Sequence, residues 1–470
     1  MRALSWMVVL GWGLAAGAAR ASTEAPGVTA EARVLTLDEA ESTARERQPR
    51  LRSAQAGTDA ARARTDQSRA GLFPQVSGSA GYDVGRNLTT EVPGGRGVSK
   101  RFSAGVSANQ LLYDFGRTSG RLTAARQSAQ AQESSQAQTL EDVLLDVRAV
   151  YFDTLTQFAL LDVAQETLDT ESRRLQQVQA AVEVGSRPEI DLLQQRTARA
   201  NAQVQLIRAR NGYASAKARL NQAMGVEGST DYVVRDVAVA PLEGEEAATE
   251  VLVERALSVR ADVAAGELQV RAQETQVGVA RGGYWPSLGA TAGVQDLGDS
   301  PVDADVSVSG GLNLSWNLWD SGRTRAEVRE RRALVRDARA QQDALRQQVR
   351  LEVEQTRLAV TAAREALSAA EEALLNARER LRLAEGRYAA GVGNIIELGD
   401  AQVAYTSAAA QRVQANYELA TARAELARAL GTRPTLVAWR SSEEPGVSPR
   451  LLAVNGWRCA RQEQARVAGS

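Results

Sequence analysis

The chain has 470 residues, no histidine at all, and a single cysteine, Cys459. Nucleophile pairs that need histidine are therefore excluded, and so are the usual zinc and copper ligand sets. No disulfide can close within one chain, so stability must come from packing, assembly or both. A formal net charge of −1 gives no reason to expect nucleic acid or an anionic membrane surface as a partner. Composition leaves open only an all-carboxylate metal or acid–base site. With no nucleotide-binding loop and no motif for such a site, the chain is read as not an enzyme, without cofactor or metal. Long apolar runs are absent as well, which excludes a bundle of membrane helices. If the mature chain crosses a membrane, it must do so as closed β-structure.

The first residues, "MRALSWMVVLGWGLAAGAARA", have the form of a secretory leader. Arg2 supplies the positive start, Met7 to Ala19 the short apolar stretch, and Ala19-Arg20-Ala21 the small-x-small cleavage pattern. An anchor helix would need a longer and less Gly/Ala-rich run. No cysteine follows the leader, so a lipid at the mature N-terminus is not expected.

The organisation of the rest is a duplication. "YDFGR" at Tyr113–Arg117 returns as "WDSGR" at Trp319–Arg323. The same offset aligns "VEVGSRPEIDLLQQRTARA" from Val182 with "YAAGVGNIIELGDAQVAYT" from Tyr388, and Leu220, Met224 and Gly225 with Leu426, Leu430 and Gly431. "GLFP" ending at Pro74 returns as "GYWP" ending at Pro286 at a slightly different offset. The chain thus divides into a leader (1–21), a first repeat (22–225), a linker (226–247), a second repeat (248–431) and a tail (432–470). The tail carries three prolines and no periodicity, and is expected to be disordered or wrapped around the outside, with Cys459 a free thiol.

Each repeat reads helix, strand, loop, strand, very long helix, tight break, shorter helix. The first helix is expected over Thr36–Gly71 and its copy over Ala248–Gly283, ended by Pro74 and Pro286. Strands are expected over Gln75–Arg86, Arg101–Tyr113, Ser287–Gln295 and Val306–Trp319, joined by Gly/Pro/Asp-containing loops at Asn87–Lys100 and Asp296–Asp305. The long helices, 118–184 and 324–390, contain no proline. Helices over 190–225 and 396–431 return from the breaks. Leu367, Leu374 and Leu381 recur at heptad spacing, preceded by Val353 and Val360 and followed by Tyr388. Thr356, Ala363, Ala370, Ala377 and Ala384 follow three residues behind. Val147, Thr154, Leu161, Leu168, Leu175 and Val182 repeat the register in the first half. A sustained heptad specifies coiled-coil packing.

The strands alternate. Val306, Val308, Leu312, Leu314, Trp316 and Leu318 fall on one side of the last one; Ser307, Ser309, Asn313, Ser315 and Asn317 fall on the other. Four strands cannot close a barrel, so either they form a small soluble sheet or several chains pool them. A small sheet leaves the helices far too long to pack on it. Pooling gives each face a solvent: lipid against the apolar side, water against the Ser, Thr, Asn and Gly side. The strand-end aromatics Phe73, Tyr113, Phe115, Trp285, Trp316 and Trp319 resemble an interfacial girdle.

These residues resemble the TolC-like family of outer-membrane efflux and secretion channels, over nearly the whole mature chain from "LTLDEAESTARERQPRL" (Leu35–Leu51) to Gly431. The paired "YDFGR"/"WDSGR" junctions and the hairpin of Arg387–Gly431 carry the likeness most specifically. The fold class is then mainly α with a small β part: two structural repeats, long antiparallel coiled-coil helices, and four strands per chain shared in an oligomeric barrel. The resemblance implies a homotrimer and a twelve-stranded barrel in the outer membrane of a Gram-negative bacterium, with an α-helical tunnel in the periplasm. It also implies a periplasmic membrane-fusion adaptor and an inner-membrane RND, ABC or MFS transporter as partners.

Site residues carry over from the family at the tips only. Tyr388 matches the gate tyrosine, Asp191 its partner aspartate, and Glu397 and Asp400 the acidic pair at the constriction. Spacing of three puts both carboxylates on one helix face, where an oligomer would crowd them into an anionic, cation-attracting ring. The family's gate arginine position is Gly393 here, and Arg187 holds the equivalent place in the first hairpin. The turns Val184-Gly185-Ser186 and Gly391-Val392-Gly393 resemble adaptor-contact grooves, although glycine is also the default residue of any tight helical turn. The leading function is a passive exit duct of a tripartite efflux pump or type I secretion system. The alternative is a periplasmic coiled-coil scaffold or adaptor without a membrane span, and a carboxylate-only hydrolase is a distant third. Fractionation separates the first two: the channel should leave membranes only with detergent, whereas the scaffold should wash off.

Overall fold

The computed structural model describes residues 33–86, 98–228, 231–242, 244–298, 305–432 and 436–438. The leader, most of both strand-connecting loops, and all of the tail but three residues and Thr432, with Cys459, lie outside the described residues. The first repeat comprises β1 (Arg33–Leu35), α1 (Leu37–Arg47), α2 (Pro49–Ala70), β2 (Gln75–Arg86), β3 (Val98–Tyr113), α3 (Arg117–Glu183) and α4 (Glu189–Met224). β4 (Tyr232–Val234) and β5 (Val237–Val239) occupy the linker. The second repeat comprises α5 (Thr249–Val259), α6 (Ala261–Arg281), β6 (Ser287–Gly298), β7 (Asp305–Ser315), α7 (Arg323–Ala389) and α8 (Ile395–Ala429), followed by β8 (Leu436–Ala438). Paired lengths match: α3 and α7 each have 67 residues, α4 has 36 and α8 has 35. At 1.5 Å per residue each long helix spans roughly 100 Å.

The helix expected over Thr36–Gly71 is two helices, because Gln48 is extended (φ −64°, ψ 120°) and Pro49 starts α2. Its copy breaks likewise at Arg260 (φ −65°, ψ 132°), where no proline announces it. The breaks serve the ends of other helices. Gln48 Nε2 donates to the carbonyls of Gln222 and Ala223 at 3.3 and 2.7 Å, capping the C-terminus of α4. Arg260 Nη1 donates to the Ala429 carbonyl at 3.1 Å, capping α8. These last-turn carbonyls have no partner within their own helix. Gly225 (φ +69°) lets α4 end in this tight joint, since a Cβ there would lie 2.7 Å from Gln48 Cα. Each return helix therefore meets the start of a second helix head to tail.

The strand expected over Val306–Trp319 ends at Ser315, and Trp316 to Trp319 run on unpaired. β3 starts before Arg101, and β6 runs past Gln295. The sheet order is β2-β3-β6-β7, antiparallel throughout, and the outer edges of β2 and β7 have no partner strand among the described residues. Register puts Val76, Val106, Val294, Val308 and Leu312 on one face. Ser77, Ser107, Gly293 and Ser309 fall on the other, where the Ser77 and Ser107 hydroxyls lie 3.0 Å apart. The apolar face is bare: Val308 is 79% and Leu312 74% exposed.

Both strand-to-helix junctions are built alike. Asp114 Oδ2 accepts from the Thr118 amide and hydroxyl at 2.8 and 2.6 Å; Asp320 Oδ2 accepts from the same groups of Thr324 at 2.9 and 2.5 Å. Phe115–Gly116 and Ser321–Gly322 then turn through left-handed backbone. The Thr324 hydroxyl, then its amide, holds the Asp320 carboxyl below the usual carboxylate range.

The main apolar cores sit where the repeats join. Tyr151, Phe152, Leu144 and Val147 of α3 pack with Leu37, Leu220 and Tyr232. Val349, Val353 and Val360 of α7 pack with Leu252, Leu426 and Leu430. β1 pairs in parallel with β4, and the tail's β8 pairs antiparallel with β5. Gly225→Val should lower the melting midpoint of the detergent-solubilised protein, at a cost of about 2 kcal/mol or more from backbone strain and the lost joint. Gly278→Ala, at a helical site with open space around its Cβ, should leave the midpoint unchanged or raise it. Equal midpoints for Gly225→Val and the unsubstituted protein would show that the joint carries no stability.

Candidate functional site

Two regions gather the residues singled out by sequence: the helical tips and the strand–helix junctions. At the tips both turns are glycine C-caps. Gly185 (φ +73°) and Gly391 (φ +78°) take left-handed backbone, and Ser186 and Val392 donate back to Ala181 and Arg387 at 2.9 and 3.1 Å. Val184 and Val392 project fully into solvent. The Asn394 side chain caps α8 by accepting from the Glu397 amide at 2.7 Å.

Three sequence-identified residues meet across the hairpins. The Tyr388 hydroxyl donates to Asp191 Oδ2 at 3.3 Å, and Asp191 is only 7% exposed. Arg187 lays its guanidinium 4.1 Å from the centre of the Tyr388 ring and donates to the Tyr388 carbonyl. Burial, then the neighbouring Asp191 charge, pushes the Tyr388 phenol above its ordinary value, which keeps it a proton donor. Gly393 sits in a tight spot: a Cβ would lie 3.0 Å from the Tyr388 amide and 3.1 Å from Arg387, closer than an ordinary contact. Glu397 stands apart, exposed and paired with Arg387 at 3.1 Å. Asp400, also exposed, lines a groove of about 810 Å³ between α3, α4 and α8, floored by Leu160 and Val163.

Sequence reasoning missed a buried polar tie in that groove. Arg174 of α3 reaches Glu385 of α7 at 2.8 Å, Gln402 of α8 at 3.4 Å and Glu171 at 3.4 Å. Gln195 of α4 donates to the Glu171 side chain. One guanidinium thus links both hairpins. The signal was present: Glu171 follows Leu168 by three residues, a slot that alanine fills through most of the second half.

At the junctions, Phe115 packs on Tyr113 (ring centroids 4.8 Å apart) and stacks on Trp285 (5.2 Å). Trp316 Nε1 donates to the Tyr284 carbonyl at 3.1 Å, and Arg69 lies 5.9 Å from the Phe73 ring centre. Trp319 is 88% exposed and touches none of these rings. Leu318 extends the same exposed belt, and so does Tyr284, which was not singled out by sequence. Among the described residues, no group of three or more Asp, Glu or Cys could hold a metal, and no helix is long and apolar enough to cross a membrane.

A family model for outer membrane efflux proteins matches twice, over residues 41–226 and 252–432. The chain belongs to the outer membrane efflux protein family. The two matches fall on the two repeats, so the duplication is the family's own unit. The family is one of efflux proteins, and that membership places the chain outside the enzymes. The toluene efflux pump outer membrane protein TtgF of Pseudomonas putida is 26% identical over 245 residues, 51% of this chain and 50% of that protein. Protein CyaE of Bordetella pertussis is 29% identical over 267 residues, 56% and 55% of the two chains. The chain spans about half the length of these curated relatives. The solved structure of CusC superposes with a TM-score of 0.74 at 21% identity, over 84% of this chain and 92% of that one, which shows a shared fold.

Arg174→Ala would leave Glu171 buried without its cation, and should destabilise the protein by about 3 kcal/mol. Adding Glu171→Gln should recover part of the loss, measured by denaturant unfolding in detergent. An Arg174→Ala protein as stable as the unsubstituted one would show that the tie contributes nothing.

Proposed function

We propose that this protein is an outer-membrane channel-tunnel, the passive exit duct of a tripartite efflux pump or type I secretion system. The observation that carries this reading is the four-stranded sheet, apolar on one face, polar on the other, and unpaired at both edges. Each unpaired backbone group in hydrocarbon costs several kcal/mol, so a spanning sheet must close. Four strands are too few to close alone, and three copies give an even, twelve-stranded barrel. The exposed aromatic belt then marks the water–hydrocarbon boundary on the helical side. A scaffold without a membrane span would leave that belt and the bare Val and Leu face in water.

Export by the leader, with no lipid attached, delivers the chain to the outer membrane, and its helices hang in the periplasm. The Val184–Ser186 and Gly391–Gly393 turns form the end that a periplasmic membrane-fusion adaptor engages. An inner-membrane RND, ABC or MFS transporter supplies the energy. Asp191, Tyr388 and Arg187 hold the two hairpins together at this end, and Glu397 and Asp400 ring the constriction.

Single-channel recording in planar bilayers tests the assignment. Alanine at both Glu397 and Asp400 should lower the preference for cations, and Arg187→Ala should raise conductance. Selectivity unchanged in the double variant would remove the carboxylates from the constriction, and unchanged conductance would remove Arg187 from the closure.

A further inference from the structure

The net charge of −1 is an average over an uneven distribution. Residues 323–336, the turns of α7 nearest the sheet, hold six arginines and two glutamates; residues 117–130 of α3 hold three arginines and no acid. Arg69, Arg121, Arg281, Arg325, Arg329 and Arg332 are exposed, and none has a carboxylate within ion-pairing distance among the described residues. Further along α7 most arginines are balanced by acids: Arg339 pairs with Glu274, Arg346 with Glu267, Arg364 with Glu245 and Glu246, and Arg387 with Glu397, while Arg350, Arg378 and Arg380 stand singly among the described residues. The largest excess of arginine over acid along α7 therefore falls at one level of the molecule, next to the aromatic belt.

Several elements converge on that level. α2 and α6 end there, placing Arg69 beside Phe73 and Arg281 four residues before Trp285. α3 and α7 begin there, so two helix N-termini add their positive dipole ends. Arg332 lies roughly 14 Å along α7 from its first residue at 1.5 Å per residue, and a guanidinium can snorkel back toward a surface. The nearby acids Asp114 and Asp320 are engaged by threonine and amide donors, and Asp66, Glu327 and Glu330 are outnumbered. Charges more than about 8 Å from their partner are screened at physiological salt, so only a partner lying against this level feels the collar. The planar guanidinium fork matches a phosphate better than an ammonium does.

Resting on the reading that the sheet spans a membrane, we propose that this arginine collar docks the phosphate headgroups of anionic phospholipids in the leaflet on the helical side. The belt fixes depth through its rings, and the collar fixes it again through charge.

The full chain, reconstituted in nanodiscs of phosphatidylcholine mixed equally with phosphatidylglycerol, provides the test. Lipid retained after gentle detergent extraction is identified by mass spectrometry and compared with a variant carrying Arg121→Gln, Arg325→Gln, Arg329→Gln and Arg332→Gln. The unsubstituted protein should retain phosphatidylglycerol several-fold above its bulk share, less so at high salt, and the variant should retain the bulk ratio. Bilayer conductance should be the same for both, which shows that the variant folds and inserts. Conducting channels that retain lipid at the bulk ratio, or equal enrichment in protein and variant, would overturn the collar and leave the channel reading intact. Loss of the enrichment in inorganic phosphate, at an ionic strength where chloride leaves it intact, would assign the arginines to a free anion instead. Absence of channels in either lipid would overturn the membrane-spanning reading itself.

Discussion

The open edges of the β2-β3-β6-β7 sheet are the constraint on which the rest of the molecule depends. β2 and β7 each present a row of unpaired amides and carbonyls, which in hydrocarbon can be satisfied only by another copy's strand. Closing such a ring requires the sheet to curve, and glycine lets strands approach closely at some points of it. A Cβ on Gly105 would lie 3.0 Å from the Val294 carbonyl, and one on Gly81 would lie 3.2 Å from Ser103 Oγ. On the opposite face, a Cβ on Gly78 or Gly310 would meet nothing nearer than 3.9 Å. On the Ser/Gly face itself the fit is uneven, since a Cβ on Gly311 would also meet nothing nearer than 3.9 Å. On the channel reading, small polar residues are needed on the inside because that face meets water.

Curvature at the sheet sets the task for the helices, which must carry a tube of the same circumference for roughly 100 Å. Only α3 and α7 run the whole distance. The other half of the wall is assembled from α4 with α2 and α8 with α6, butted end to end. Butted ends leave helix carbonyls and amides unpaired. Gln48 and Arg260 answer this, each from a residue held extended so that its side chain reaches the last turn of the neighbouring helix. The joint at Arg260 is anchored further by Asp262 at 2.7 Å and Glu352 at 2.8 Å. Both joints lie beside the two large apolar clusters, so the seams coincide with the strongest packing.

Much of this was legible in the sequence, because it repeats and because its periods are pure. The two-residue alternation, the heptads and the paired "YDFGR"/"WDSGR" junctions each state one geometry with no competing signal. The breaks at Gln48 and Arg260 were not legible, since both segments keep a helical pattern across them and the cause lies in distant helix ends. Pro49 was a local hint, and Arg260 had none. Trp316 to Trp319 continue the alternation of β7 beyond its last rung, because apolar side chains are wanted outward there whether or not the backbone is paired. At the tip, a match of residue types could nominate Tyr388, Asp191 and Arg187. It could not find Arg174, whose importance depends on four helices converging around it.

The distribution of apolar and polar packing along the tube says where the wall can part. Around the joints, Tyr151, Phe152, Leu144 and Leu426 are almost wholly buried, and separating such surfaces costs about 25 cal/mol per Å² with nothing returned. At the tip the apolar cluster is smaller-chained, with Val178, Ala384, Ile395, Leu398 and Ala401. The links between hairpins there are polar: Arg174 to Glu385, Tyr388 to Asp191, Arg187 to the Tyr388 carbonyl. Glu385 is about half exposed and Arg187 partly so, and water can take the place of their partners when such links break, so the net loss there is a fraction of the bond's strength in isolation. On the channel reading proposed above, a tube sealed by apolar cores in its middle and by polar ties at its end is weakest at the end, away from the joints and the sheet.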